Sequence, residues 1–366
     1  MVQLISEIGP DIPEVARRLK QYKESVRYRY KQKILNKGFA VQAAVDHERL
    51  GLKRVSCVVE FGEVYRPYAD SILSVMSELC YVVYFASTDP EGRFIVDAAV
   101  PTEHVEPFVK FIHALSEKGL FSSVDVFRFD WARNPPMQTK YYDFKAGMWD
   151  FDWSASAKVD RSLAMYTPST PESFDYTDLL ILKELQKDAN KTLTEIATQL
   201  GIKYQKLNWH YVAHVKERKL IKSYRMIWMG TRYDFKSEKA LHRKHRYLKL
   251  VVIVKGISEE ERMELMSKTN RLPFLWFEAG GRNYFADFAF PTDMVVEGLG
   301  YLRSALEQLR GRYSYYIIDP TNALTFTIPY KLYDEHQGKW LFNAPELLAR
   351  FDDLLVKIKE ERLGRS

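Results

Sequence analysis

The stretch DIPEVARRLKQYKESVRYRYKQKILNKGFAV, residues 11–41, returns without a gap as TLTEIATQLGIKYQKLNWHYVAHVKERKLIK at residues 192–222. Glu14 falls on Glu195, Val15 on Ile196, Ala16 on Ala197, Leu19 on Leu200, Val26 on Leu207, Tyr30 on Tyr211 and Ile34 on Val215. The shared apolar positions 15, 19, 26, 30 and 34 follow helical spacing. VRYRY (26–30) is therefore helix, although its letters alternate as a strand's do. Each copy opens on a capping signature, Asp11-x-x-Glu14 or Thr192-x-x-Glu195. A short turn follows, then a longer helix, then a β-prone stretch suited to a wing. That order is a winged helix-turn-helix.

Two more matches extend the repeat. AAVPTEHVEPF (98–108) falls on FAFPTDMVVEG (288–298), and KYYDFKAGMWDF (140–151) on KLYDEHQGKWLF (331–342). Ordered matches with slowly growing offsets indicate one unit of roughly 190 residues present twice. After the helix-turn-helix, the first copy reads strand 54–61, helix 65–79, strand 80–86, strand 93–100, helix 102–118 and strand 123–130. The second reads 247–255, 257–269, 273–279, 282–290, 292–309 and 312–319 in the same sequence of types. That is β-α-β-β-α-β, the ferredoxin-like arrangement. The predicted fold is α+β, two tandem units each joining a winged helix-turn-helix to a ferredoxin-like domain. The predicted boundaries are 1–50 and 51–151 for the first unit, with its first helix truncated to VQLISEI, and 175–245 and 246–343 for the second. A Ser/Thr/Pro-rich linker spans 152–174, and an amphipathic helix at 344–366 carries Leu347, Leu348, Phe351, Leu354, Leu355 and Ile358 on one face. It is expected to cap its own domain.

Charge maps onto the repeat. Residues 17–37 hold nine Lys/Arg against Glu24 alone, and residues 201–250 hold fourteen against three acids, whereas 55–153 is net acidic. Two cationic blocks with one local pattern point to a polyanion. No apolar run reaches the roughly 18 residues of a membrane span, and the start lacks a secretory signal. Two cysteines, Cys57 and Cys80, fit a reducing, cytoplasmic setting and exclude a disulfide scaffold.

FDYTDLLILKELQKDANKTLTEIATQLGIKYQKLNWHYVAHVKERKLIKSY (174–224) resembles the N-terminal domain of the Lrp/AsnC transcriptional regulators. The likeness rests on Asp175-x-x-Asp178, Ile181-Leu182-x-x-Leu185-Gln186-x-Asp188-Ala189, Glu195-Ile196-Ala197, Leu200-Gly201 and Leu220-Ile221-x-x-Tyr224. It implies a ferredoxin-like effector domain that binds a small, amino-acid-like ligand near a Gly-rich turn and pairs through its sheet. Gly280 and Gly281 of GGRNYFADFAF fit that turn, Asn283 stands where an aspartate is common, and Gly92 is the one glycine of the first copy's hairpin. The family member is a single unit, whereas this chain holds two.

The expected function is sequence-specific binding of double-stranded DNA. In the first recognition helix Val26, Tyr30 and Ile34 face inward, so Glu24, Tyr28 and Lys31 point outward, with Lys23, Ser25 and Arg27 near its start. Arg27 suits guanine, while Lys23, Lys31 and Lys33 suit phosphates. The second helix offers Gln205, Lys206, Asn208 and Trp209, whose amides suit adenine, so the copies are expected to read different sequences. Arg29 and His210 occupy matched positions and are open to either a structural or a DNA-contacting role. Lys219, Lys222, Arg225 and Arg232 are expected to meet phosphates from the wing. One chain carrying both helices is expected to form an internal pseudo-dimer with sheets paired across the duplication, open to further self-association.

The alternatives are a DNA-architectural protein without an effector, and an enzyme like the siroheme decarboxylases, which share this domain order. For the latter, His104 and His113 lie on a predicted helix where the second copy has Met294 and Arg303 nearby instead, and the cationic surface of both recognition helices argues against it, so no enzyme activity is assigned. His210-x-x-x-His214 has a metal-binding spacing, but two ligands without a neighbouring Cys or acid do not make a site, and neither metal nor cofactor is assigned. The repeated Tyr142-Asp143/Trp149 and Tyr333-Asp334/Trp340 read as turns fixed by a Tyr–Asp bond beneath a packed Trp, or as a partner surface.

Overall fold

The computed structural model describes all residues except 90–91, 155–159, 161–167, 229–230, 235–238, 243–246 and 364–366; for 231–234, 239–242 and 362–363 it describes the backbone. The first unit begins with α1 (Val2–Ile8), α2 (Ile12–Leu19) and α3 (Lys23–Lys33), then strand β1 (Ala40–Val45). Asp11 caps α2 by accepting the Glu14 N–H at 3.2 Å, and Lys20 ends it in the left-handed conformation at φ 52°. Val26, Tyr30 and Ile34 are buried, as the helical line requires. Next come β2 (Leu52–Phe61), α4 (Ala69–Leu79), β3 (Val82–Asp89), β4 (Arg93–Pro101), α5 (Val105–Glu117), β5 (Phe121–Arg128) and β6 (Trp131–Arg133), closed by the small hairpin β7 (Tyr142–Asp143) and β8 (Met148–Trp149).

The second unit repeats the plan. Helices α6 (Tyr176–Lys187), α7 (Leu193–Leu200) and α8 (Tyr204–His210) lead into a π-helical turn, Tyr211–Lys216, then β9 (Ile221–Ile227), β10 (Thr231–Asp234) and β11 (Lys239–His242). The ferredoxin-like part is β12 (Tyr247–Val254), α9 (Glu259–Thr269), β13 (Leu275–Gly280), β14 (Tyr284–Pro291), α10 (Val295–Ala305) and β15 (Tyr313–Thr325). The hairpin β16 (Tyr333–Asp334) and β17 (Lys339–Trp340) and the final helix α11 (Ala344–Leu363) complete it.

The two sheets are one. Strand order is β5-β2-β4-β3-β15-β12-β14-β13-β6, and its two end strands are consecutive in the chain. The Phe129 N–H donates to Arg54 and the Asp130 N–H to Gly280, so the ring closes across the two residues between β5 and β6. Closure removes the exposed edges that open sheets must otherwise protect. Strand β15 makes the reciprocal crossing. It pairs with β12 through Tyr313–Ile318, and with β3 where Ala323–Thr325 lie opposite Ala86–Tyr84. Side chains alternate along each strand, and in β4, β12 and β14 both faces are largely buried, which accounts for unbroken apolar runs such as VVIV (251–254). Leu250, Val252 and Val254 face the second unit's helices, while Val251 and Ile253 join Val58, Phe127, Phe285 and Ile318 inside the ring.

The wings depart from the expected local arrangement. β1 pairs antiparallel with β9, with Ala40 opposite Ile227 and Val41 opposite Met226. A lone strand leaves its backbone groups unpaired, and its twin from the other unit supplies the partners. The two helix-turn-helix parts thus share one core, in which Met226 and Ala189 pack with Val15, Val26 and Tyr30, and the Tyr30 hydroxyl donates to Asn190 at 2.5 Å.

Helix α11 corrects a second expectation. It lies on α5 of the first unit, with Phe351 against Phe111 at 5.7 Å and Lys118 paired with Asp352, because α5 offers the apolar face that covers its stripe. The repeated hairpins use their residues differently from the proposed Tyr–Asp bond. Asp143 accepts the Lys145 and Ala146 N–H groups, Gly147 supplies φ 73°, and the Tyr142 ring meets Trp149 edge-on at 4.9 Å. Asp334, Gly338, Tyr333 and Trp340 repeat this, with φ 62° and 5.1 Å.

Candidate nucleic-acid interface and the cavity behind it

The helical register buries Val26, Tyr30 and Ile34, so every other face of α3 is left to charge. Lys23, Ser25, Arg27, Tyr28, Arg29, Lys31 and Lys33 are all exposed, and Tyr22 and Tyr28 stand 87% and 64% in solvent. Arg27 is held by Glu24 at 2.9 Å, and Arg29 by Gln21 at 3.1 Å. In α8 the buried line is Leu207 and His210. Gln205, Lys206 and Trp209 are exposed and Asn208 is half-buried, with the Trp209 indole 56% open. His210, matched to the exposed Arg29, points inward.

Lys219 lies exposed in the turn before β9, at φ 53°. Lys222 and Arg225 point elsewhere than expected: both line a cavity between the paired wings and the closed sheet. The Arg232 side chain lies outside the described residues. About 1190 Å³ of space, counted out to the mouth, is bounded by His47, Arg54, Tyr84, Asp97, Arg133, Lys222, Arg225, Lys249, Trp276 and Asp287 among others.

Its floor carries two ion pairs at corresponding positions of the duplicated sheets. Arg54 meets Asp97 at 3.0 Å and Lys249 meets Asp287 at 3.0 Å. Ser56 donates to Asp97 at 2.5 Å, and Lys249 also reaches the Tyr84 hydroxyl at 3.1 Å. Burial raises the Asp287 carboxyl despite the nearby Lys249. Burial, then the charges of Arg54, Arg225 and Lys222, push His47 down to about 3, so its imidazole is neutral at ordinary pH. Burial and Arg54 lower Arg225 to about 10. Among the described residues, Arg54 Nε, Arg225 Nε and Asp287 Oδ1 are buried without a hydrogen-bond partner. Such atoms are costly unless something polar meets them. The sequence held one signal for this site: Asp97 and Asp287 are acids within otherwise apolar strands, each four residues before the repeated Pro-Thr.

The candidate effector turn is packed shut. A Cβ on Gly280 would fall 2.3 Å from the Trp131 ring and one on Gly281 2.6 Å from the Asp130 carboxylate, so glycine is needed there for close approach of β6. Asn283 accepts the Gly256 N–H at 3.2 Å, and Gly92 sits at φ 95° beside Arg66. His104 packs on Phe342 and His113 is exposed on α5, so neither lines the cavity.

Residues 174–211 match the family model described as winged helix-turn-helix DNA-binding, so the chain carries such a domain. The chain is similar in fold to the siroheme decarboxylase NirDL, with TM-score 0.51 and 12% identity over 96% of each chain. It is likewise similar to NirDL in complex with an iron-uroporphyrin III analogue, with TM-score 0.51 and 11% identity over 90% of this chain and 92% of that one. A transcriptional regulatory protein of the AsnC family from Pyrococcus furiosus matches 32% of this chain and 76% of its own, at 20% identity and TM-score 0.25. No curated protein matches the chain in sequence. No helix among the described residues is long and apolar enough to cross a membrane.

Proposed function

We propose that the protein is a transcriptional regulator that grips double-stranded DNA with α3 and α8 together, its grip set by an anionic small molecule in the cavity beneath the wings. The observation that carries this reading is the open outer face of both recognition helices, cationic and aromatic, on reading heads tied by β1 and β9 into one body. A major groove about 12 Å wide admits such a helix. Lys23, Lys31, Lys33 and Lys206 neutralise phosphates, while Arg27, Gln205 and Asn208 face base edges. The cavity adjoins β9 through Lys222 and Arg225, so a ligand there bears on the strand that joins the heads. The test is selection of bound genomic fragments followed by affinity against salt. With about four phosphates neutralised, the log–log slope is near −4, and a flat response overturns the reading.

One observation favours a second reading. Arg54, Arg225 and Lys222 around a neutral His47 form a receptor for carboxylates, in a chain that shares its fold end to end with a protein named siroheme decarboxylase. A tetrapyrrole carboxylate held by the arginines would leave as carbon dioxide while its carbon takes up a proton. Incubation with siroheme, scored for carbon dioxide, separates the two readings.

A further inference from the structure

We infer that the second reading head holds a divalent transition-metal ion between Asp175, Asp178, His210 and His214. Helix α6 begins at Asp175, its N-cap, and Asp178 follows on the first turn. His210 closes α8, and His214 lies within the π-helical turn that continues it. Turns of this kind cluster at functional sites. One ligand atom from each of the four side chains lies within 4.8 Å of the others.

The spacing fits a shared ion. His210 Nδ1 is 3.0 Å from Asp178 Oδ1 and His214 Nδ1 2.8 Å from Asp178 Oδ2, while the Asp175 Oδ2 stands 3.4 and 4.0 Å from the same two nitrogens. Ligands at roughly 2.0–2.2 Å from a tetrahedral zinc stand about 3.4 Å apart, the middle of that range. Charge is compatible with this. Asp178 is fully buried and accepts the Asp175 N–H at 2.9 Å, and a bound cation would offset the charge that this carboxylate keeps out of water. Two imidazole nitrogens and two carboxylate oxygens make a set suited to zinc, and by the general affinity order to cobalt and nickel as well.

The site belongs to one copy only. The first head has Arg29 and Lys33 where the second has His210 and His214. Its consequence for the molecule is mechanical: the ion pins the start of α6 to the end of the recognition helix, beneath the exposed Trp209, whose ring meets both imidazoles edge-on at 5.0 and 4.7 Å.

The test uses the full chain, stripped with chelator, desalted and titrated with zinc or cobalt. The expected result is one ion per chain, with a four-coordinate cobalt absorption spectrum. Asp175→Asn is the cleanest variant, because asparagine caps a helix as well as aspartate while removing an anionic ligand. It is expected to bind at least about tenfold more weakly, with unchanged circular dichroism. His214→Ala is expected to abolish the cobalt spectrum, and His113→Ala, on the surface of α5, to leave it intact. Absence of binding by the wild-type chain, or equal affinity in Asp175→Asn, overturns the inference. Either outcome is read without DNA, so it stands apart from the proposed function.

Discussion

Asp97 and Asp287 occupy corresponding places in the two halves of the closed sheet, each holding a cation of its own unit, Arg54 or Lys249, at 3.0 Å. Lys249 is the more enclosed arrangement, with the Tyr84 ring 4.4 Å from its ammonium. Removing one partner of a buried pair strands the other charge, at a cost of about 3–5 kcal/mol, whereas removing both is often tolerated. Asp287→Asn is therefore expected to lower stability by about that amount, and the double variant Asp287→Asn, Lys249→Met to recover most of it. Urea denaturation of the four species measures the coupling. Additive losses would show that the pair is not a unit.

His47 gives the cavity a pH signature. Its folded pKa is lowered to about 3, by burial first and then by Arg54, Arg225 and Lys222, against an ordinary value near 6.5. Above about 6.5 the imidazole is neutral whether folded or unfolded and contributes nothing. As pH falls below that, the unfolded chain binds a proton that the folded one refuses, so stability is lost until about 3. His47→Gln should lack this component, and the wild type should fall more steeply by a few kcal/mol on the order expected from such a shift. Denaturation midpoints between pH 7 and pH 4 compare the two. An anion bound among Arg54, Arg225 and Lys222 offsets their charge and should flatten the wild-type curve.

Local chemistry made the helices and strands readable, and long-range pairing hid the rest. Val26, Tyr30 and Ile34 announce α3 because a 3.6-residue period is written into adjacent letters. The apolar runs 54–61 and 247–255 similarly mark β2 and β12. Nothing local tells β1 to pair with β9, or α11 to cross to α5, since each needs a partner from the other unit. The cavity was invisible for the same reason: His47 and Arg54 come from one unit and Arg225 and Lys249 from the other, and the two groups meet only when the ring closes. The aspartates beside His210 and His214 were in view, but Asp175-x-x-Asp178 also spells a helix cap, which it is.

The matched tryptophans separate hydrogen bonding from packing. Trp340 Nε1 donates to the Leu50 carbonyl at 3.0 Å, whereas Trp149 Nε1 is buried with no hydrogen-bond partner among the described residues. Replacing Trp340 by Phe leaves a buried carbonyl unsatisfied and should cost about 1–3 kcal/mol beyond the lost packing. Trp149→Phe removes an unsatisfied donor and should cost less by about that margin. Thermal unfolding of the two variants side by side tests the difference, and equal losses would contradict it.

The two recognition helices should fail in different ways. Lys31 and Lys33 present exposed ammonium groups at the end of α3, and contacts of this kind hold the phosphate backbone regardless of sequence. Lys31→Ala with Lys33→Ala should weaken every DNA equally and reduce the salt slope by about 2, close to 0.9 per phosphate lost. Gln205 and Asn208 carry amides that can pair with adenine edges. Their replacement by Ala should leave the salt slope nearly unchanged and relax the preference at one half of the site by about 1–3 kcal/mol. Binding of selected fragments and of their single-base variants, repeated at several salt concentrations, distinguishes the patterns. A uniform loss from the Gln205 and Asn208 changes would mean that α8 positions the protein on DNA without reading it.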